Sequence, residues 1–285
     1  MLKIAIPQHN EFTRKSIETL RKSGVDFSPN IDKYGSICCS QDFPAQIRMM
    51  DFEQIISVVA SGAQDIGIVG AHHFENSDTE ICCVHSFTSF KSNFSLFINK
   101  DLKYKGLESL TGRKIATAFP NLVGAFFKKR NIRVNICQYQ PPLPLMVELG
   151  NVDGICTLTD DYLQNFCSQL YEIEAIMQSC PIIIANKNLS AQKHIILDEL
   201  IDRIKSVQNA EGKKMVYVAV PMEKKDSILQ FLTQYNYKTV EMAIGSSNRF
   251  IIHIMADEKH LWDLKTHLKS LGAENIYVLP IEKII

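Results

Sequence analysis

Apolar positions recur along this chain with two periods, and the two periods take turns. The apolar run Leu2–Pro7 reads as a strand. It gives way to a helical stretch from about Thr13 to Lys22, with Ile17 and Leu20 on one face and Gly24 as a stop. Asp51 is placed to cap a helix carrying Ile55, Ile56 and Val59, which ends at Gly62. Asp65–Gly70 then reads as a buried strand leading into a glycine turn, and Ile81–Val84 and Phe94–Ile98 as two more strands.

The pattern restarts near Asn99–Asp101. Gly112–Thr117, Ile132–Tyr139 and Val152–Leu158 read as strands, and Pro120 opens a helix as a first-turn proline should. Pro141, Pro142 and Pro144 make a stiff connection. From Tyr162 onward, Leu163, Phe166, Cys167 and Leu170 share one helical face. Met177–Ala185 reads as the return to the first lobe. Strands alternating with helices predict a mostly parallel sheet, and the double crossover predicts two lobes around a cleft. The expected division is residues 1–98 and 178–205 for the first lobe and 99–177 for the second. A long helix from Ala191 to about Ala210 leads to a third unit, 212–285. Its order is β-α-β-β-α-β, that of a ferredoxin-like domain.

Charge and composition narrow the function classes. Lysine plus arginine equals aspartate plus glutamate at 31 each over 285 residues. A neutral chain lacks the basic face a general nucleic-acid binder needs, so no nucleic acid is expected as a partner. No apolar run approaches the roughly 20 residues that span a bilayer, and Met1 leads straight into a strand, so neither membrane nor export is expected. The eight cysteines form no C-x-x-C pair, and several sit in apolar strands. They read as buried thiols of a cytoplasmic protein, with no zinc site.

Candidate chemistry concentrates where strands meet helices. Val152–Leu158 and the helix after it are separated by Thr159, Asp160 and Asp161 alone. Such a turn ordinarily receives an anion on its backbone N–H groups, yet this one has no glycine and carries two carboxylates. His72 and His73 are adjacent. On an extended segment they point to opposite faces, so they read as polar cleft lining and not as a metal pair. Lys91, Arg113 and Lys114 are either cleft charge or solvated surface, and Gly245, Ser246 and Ser247 either an effector loop or a hairpin turn.

Three runs carry a family resemblance: Leu268 to Lys283, Gly112-Arg113-Lys114-Ile115-Ala116-Thr117-Ala118-Phe119-Pro120, and Gly62-Ala63-Gln64-Asp65-Ile66-Gly67-Ile68-Val69-Gly70. In order and spacing they resemble the long-form ATP phosphoribosyltransferase family, which joins ATP to phosphoribosyl pyrophosphate in the first step of histidine biosynthesis. The resemblance implies an α/β fold: a two-lobed, periplasmic-binding-protein-like catalytic part and a ferredoxin-like (βαββαβ) regulatory domain. It also implies Mg²⁺ if the chain is active, histidine as effector, nucleotide or phosphoribosyl ligands, and a homo-oligomer, dimer or hexamer.

The family's site pattern is not kept. Asp153 matches the first acidic residue of the phosphoribosyl loop, but Thr157 stands where the second, ribose-binding carboxylate is expected. Thr159 leads into Asp160 and Asp161 at the hydroxyl positions and Tyr162 at the glycine. Gln8, His9, Asn10 and Glu11 replace a Lys-Ser-Gly-Arg run, Asn93 an arginine, and Ala71-His72 a Glu-Asn pair. A Gly-Ser-Val-Glu turn is matched by Pro141-Pro142-Leu143-Pro144. Two readings follow. The chain is an ATP phosphoribosyltransferase with an unusual site, or a non-catalytic member that binds another small ligand or regulates an active relative. The altered positions all bind anion or nucleotide, and this favours lost or altered catalysis.

Overall fold

The computed structural model describes residues 1–8, 11–27, 37–77, 80–88, 91–159, 163, 169–243 and 249–285. They form two compact units, Met1–Ile201 and Asp202–Ile285.

The first unit contains two sheets. β1 (Leu2–Pro7), α1 (Glu11–Lys22), β2 (Ile37–Cys39), β3 (Ala45–Met50), α2 (Phe52–Ala60), β4 (Ile66–Gly70), α3 (Ala71–Glu75) and β5 (Ile81–Ser86) follow in order. With β11 (Pro181–Asn186) the strands pair as β2-β3-β1-β4-β11-β5. The second lobe has β6 (Ser92–Asn99), β7 (Lys114–Thr117), α4 (Pro120–Lys129), β8 (Asn135–Gln138), α5 (Pro144–Glu148), β9 (Gly154–Leu158) and β10 (Leu170–Ser179), with strand order β10-β6-β9-β7-β8. The two-lobed arrangement is the one expected.

Both sheets are mixed, not mostly parallel. β1 runs parallel to β3 and β4, and β7 to β8 and β9. The strands on either side of the crossovers, β6, β10 and β11, run antiparallel to their neighbours. The N-terminal run of strands in the first sheet stops at Ser86, and β6 pairs within the second sheet, although the sequence division keeps residues up to 98 in the first lobe. The reason is packing: Phe94, Leu96 and Ile98 face one core with Ile115, Val123 and Phe127. Each such side chain contributes about 1.5–3 kcal/mol when buried. Leu170, read as helical, instead opens β10, and β2 and β3 had no clear sequence signal.

Local details modify three expectations. α1 buries Leu20 fully and Ile17 only in part; Thr13, Ser16 and Thr19 complete its inward face. Thr13 satisfies its hydroxyl on the Pro7 carbonyl at 3.1 Å. Asp51 stands at the N-cap of α2 with an extended backbone, but its side chain makes no capping hydrogen bond. Asp65 is buried at the foot of β4, where its carboxylate accepts from Lys193 Nζ at 2.7 Å and the Lys3 backbone N–H at 2.8 Å. This ties the start of α6 (Ala191–Ala210) to the first sheet.

In the second unit, β12 (Lys213–Pro221), α7 (Lys225–Gln234), β13 (Thr239–Ala243), β14 (Arg249–Asp257), α8 (Leu261–Ser270) and β15 (Asn275–Pro280) occur in βαββαβ order. The antiparallel sheet, β13-β14-β12-β15, is ferredoxin-like. Val216, Val218 and Val220 alternate inward against Ile228, Leu232, Leu264 and Leu268 of the helices.

Candidate functional site at the meeting of the two sheets

Strand direction decides what the lobes present to each other. β1, β3 and β4 are parallel, so Gln8, Phe52 and His72 follow their carboxyl ends on one side of the first sheet. Pro181 pairs with Gly70, which brings Cys180 and Ser179 to the same side. In the second sheet Ser179 pairs with Ser92, Phe94 with Leu158 and Thr117 with Cys156. The starts of β6 and the ends of β7, β9 and β10 therefore meet the first lobe. Ligands of open α/β sheets bind outside the carboxyl ends of strands, so this junction is the candidate cleft.

The junction is filled by rings. His72 and His73 are not on an extended segment as expected: they lie in α3, because β4 runs directly into a helical turn after Gly70. A Cβ on Gly70 would collide with the His72 imidazole, which folds back over it. The two imidazoles are 4.5 Å apart, centroid to centroid. His73 stacks on Phe52 at 4.6 Å and 4°. From the second lobe, Phe119 sets its edge against His72 at 4.7 Å and His73 at 4.9 Å.

These imidazoles are neutral at pH 7. Burial, with a smaller contribution from the neighbouring His73, holds His72 well below the ordinary histidine value. Burial alone brings His73 down from 6.5 to about 4. The Ser179 hydroxyl lies 2.7 Å from His72 Nδ1, and the His72 backbone N–H donates to the same oxygen at 3.3 Å.

A second contact crosses the lobes beside the rings. Asn76, at the end of α3, accepts on Oδ1 from the backbone N–H of Asn121 at 3.0 Å and of Leu122 at 3.2 Å. Its carbonyl accepts from Asn121 Nδ2 at 3.0 Å. Pro120 has no N–H, and Val123 bonds Phe119 within α4's own first turn. The free amides of that turn are thus met from the other lobe.

The predicted site residues are only partly brought together. Gln8, His72, His73, Asn93 and Thr159 sit at the junction. Thr157 is half-buried, in register with Ser95, whose buried hydroxyl has no hydrogen-bond partner. The Thr159 N–H is already given to the Asn93 carbonyl at 2.7 Å, and Ser92 Oγ donates to the Thr159 carbonyl at 2.8 Å. The first amide of the turn expected to receive an anion is therefore committed.

Asp153 lies at the opposite end of β9, about 16 Å of strand away. It accepts from Arg113 at 3.1 Å and from the Lys114 N–H at 2.8 Å, and so braces the foot of the sheet. Arg113 and Lys114 are at that far end too, and not in the cleft. Lys91 is an exposed cation one residue before β6; its charge opposes the burial that raises the Cys180 thiol. His9, Asn10, Asp160, Asp161, Tyr162, Gly245, Ser246 and Ser247 lie outside the described residues, and Glu11 is described by its backbone only. Phe52, Asn76, Phe119 and Ser179 were missed from the sequence. Only Phe119, ahead of a helix-starting proline, had a local signal.

Among the described residues, no three His, Cys, Asp or Glu side chains gather as metal ligands. No described helix is long and apolar enough to cross a membrane.

The sequence model for ATP phosphoribosyltransferase (HisG) matches residues 52–206, and the one for the HisG C-terminal domain matches 210–283. The chain belongs to the long-form ATP phosphoribosyltransferase family. Relatives of that name from Bacteroides fragilis and Parabacteroides distasonis are each 32% identical over 285 residues, covering 100% of both chains. A solved ATP phosphoribosyl transferase (HisG:HisZ) complex from Thermotoga maritima aligns with a TM-score of 0.59 and 19% identity. It covers 72% of this chain and 96% of that one, a likeness of fold.

Proposed function

We propose that this chain is a member of the ATP phosphoribosyltransferase family in which the phosphoribosyl transfer has been lost. It serves as a non-catalytic protein that binds another small ligand or regulates an active relative by co-assembly. The observation that carries the reading is the packing of neutral His72 and His73 against Phe52 and Phe119 where the strand ends meet. Displacement of pyrophosphate needs positive groups and N–H donors aimed at developing negative charge. Rings without charge supply no positive group, and the Thr159 amide is spent within the fold.

Full-length identity of 32% to proteins of that name favours the second reading, an active enzyme. Under it, an adenine ring nitrogen would bond the anomeric carbon of phosphoribosyl pyrophosphate and pyrophosphate would leave. Mg²⁺ would come with the substrates, with feedback by histidine through residues 212–285 of a cytoplasmic hexamer. The deciding experiment incubates the full chain with ATP, phosphoribosyl pyrophosphate and Mg²⁺ and follows the adenine adduct by absorbance. No adduct above the enzyme-free control is expected. Turnover at ordinary enzyme rates, about 1 s⁻¹ or faster, overturns the proposal.

A further inference from the structure

α4 is a ten-residue helix whose own N-cap position holds Phe119, a residue with no side-chain acceptor. Its cap comes instead from Asn76, 45 residues before the Asn121 amide it accepts from and in the other lobe. Asn76 closes α3, so the carbonyl end of one helix meets the amide end of the next, an arrangement their dipoles favour. Immediately beside it, the Phe119 ring is wedged edge-on against His72 and His73 of the same α3. The two lobes are therefore joined across the cleft by direct bonds between their own residues, with nothing required between them.

We propose that the α3–α4 junction is a built-in latch that holds the lobes shut. Opening the cleft then requires release of the first turn of α4 from Asn76. A ligand entering between the lobes has to compete with Asn76, so the latch tunes access to the cleft. The proposal holds whether or not the chain catalyses transfer.

The test reads exposure of the imidazoles behind the latch. Full-length protein at pH 7 is treated with diethyl pyrocarbonate, and carbethoxylation of each histidine is timed by mass spectrometry. The exposed His194 and His260 serve as internal standards. Loss of one capping acceptor corresponds to about a fivefold change in the open fraction. Asn76→Ala is expected to speed labelling of His72 and His73 about fivefold relative to the standards. Asn76→Asp keeps the acceptor and adds a charge that suits a helix N-terminus, so it is expected to label like the wild type.

Unchanged labelling in Asn76→Ala overturns the latch, and so does an Asn76→Asp protein as fast as Asn76→Ala. If Asn76→Ala fails to fold, Asn121→Ala carries the same test. It removes the Nδ2 bond to the Asn76 carbonyl, and an unchanged rate there is equally fatal. Turnover is assayed separately on the wild type, so failure of the latch and failure of the non-catalytic reading are told apart.

Discussion

Replacing His73 with phenylalanine should make the first unit more resistant to acid. In the folded protein burial brings the His73 imidazole from 6.5 to about 4, so between those pH values the unfolded chain binds a proton that the folded one does not. Stability rises with pH wherever the unfolded state holds more protons. The contribution of neutral His73 is thus complete above about pH 6.5 and lost as pH falls toward 4. Each pH unit of that interval is worth about 1.4 kcal/mol, which makes the whole interval about 3 kcal/mol. For a unit of this size that corresponds to roughly 6–12 °C in Tm.

Phenylalanine preserves the stack on Phe52 and the edge contact with Phe119 but cannot take a proton. It also relieves His72 of the neighbour that lowers its proton affinity, which acts in the same direction. Calorimetric melting of wild type and His73→Phe at pH 7 and pH 4.5 gives the comparison directly. The two should melt close together at pH 7, and the wild type should lose several degrees more at pH 4.5. Equal losses would refute the argument that a buried, neutral imidazole fills the junction.

Two further substitutions probe the scaffold. Asp65→Ala removes a buried carboxylate from Lys193 and the Lys3 amide, and should cost about 3 kcal/mol in urea unfolding; a cost under 1 kcal/mol would show the pair to be dispensable. Gly154→Ala places a Cβ 2.6 Å from the Phe97 carbonyl oxygen, a backbone atom that cannot step aside, so the β6–β9 pairing must shift. The expected cost is about 1–3 kcal/mol, read as lower Tm and faster amide exchange in β9.

Much of the fold was legible because each level of the sequence agreed with the next. In the ferredoxin-like unit, the β-α-β-β-α-β order read from the sequence is the order in which β12, α7, β13, β14, α8 and β15 occur. The candidate site was less legible, for physical reasons. His72 and His73 look extended if Gly70 is taken as a turn; the helix there is set by contacts with Ser179 and Phe119, remote in sequence. Asp153 aligns with a loop carboxylate, yet a five-residue strand carries it to the far end of the sheet. Asn76 has no motif around it, since its partner is the backbone of another lobe.

The borrowed cap of α4 also bears on how the first unit folds. An excised second lobe would present two amide donors at the start of α4 with no acceptor but water, behind a phenylalanine unable to help. Its first helical turn would fray in isolation and become ordered only when α3 docks. The order of that turn thus depends on both lobes of Met1–Ile201.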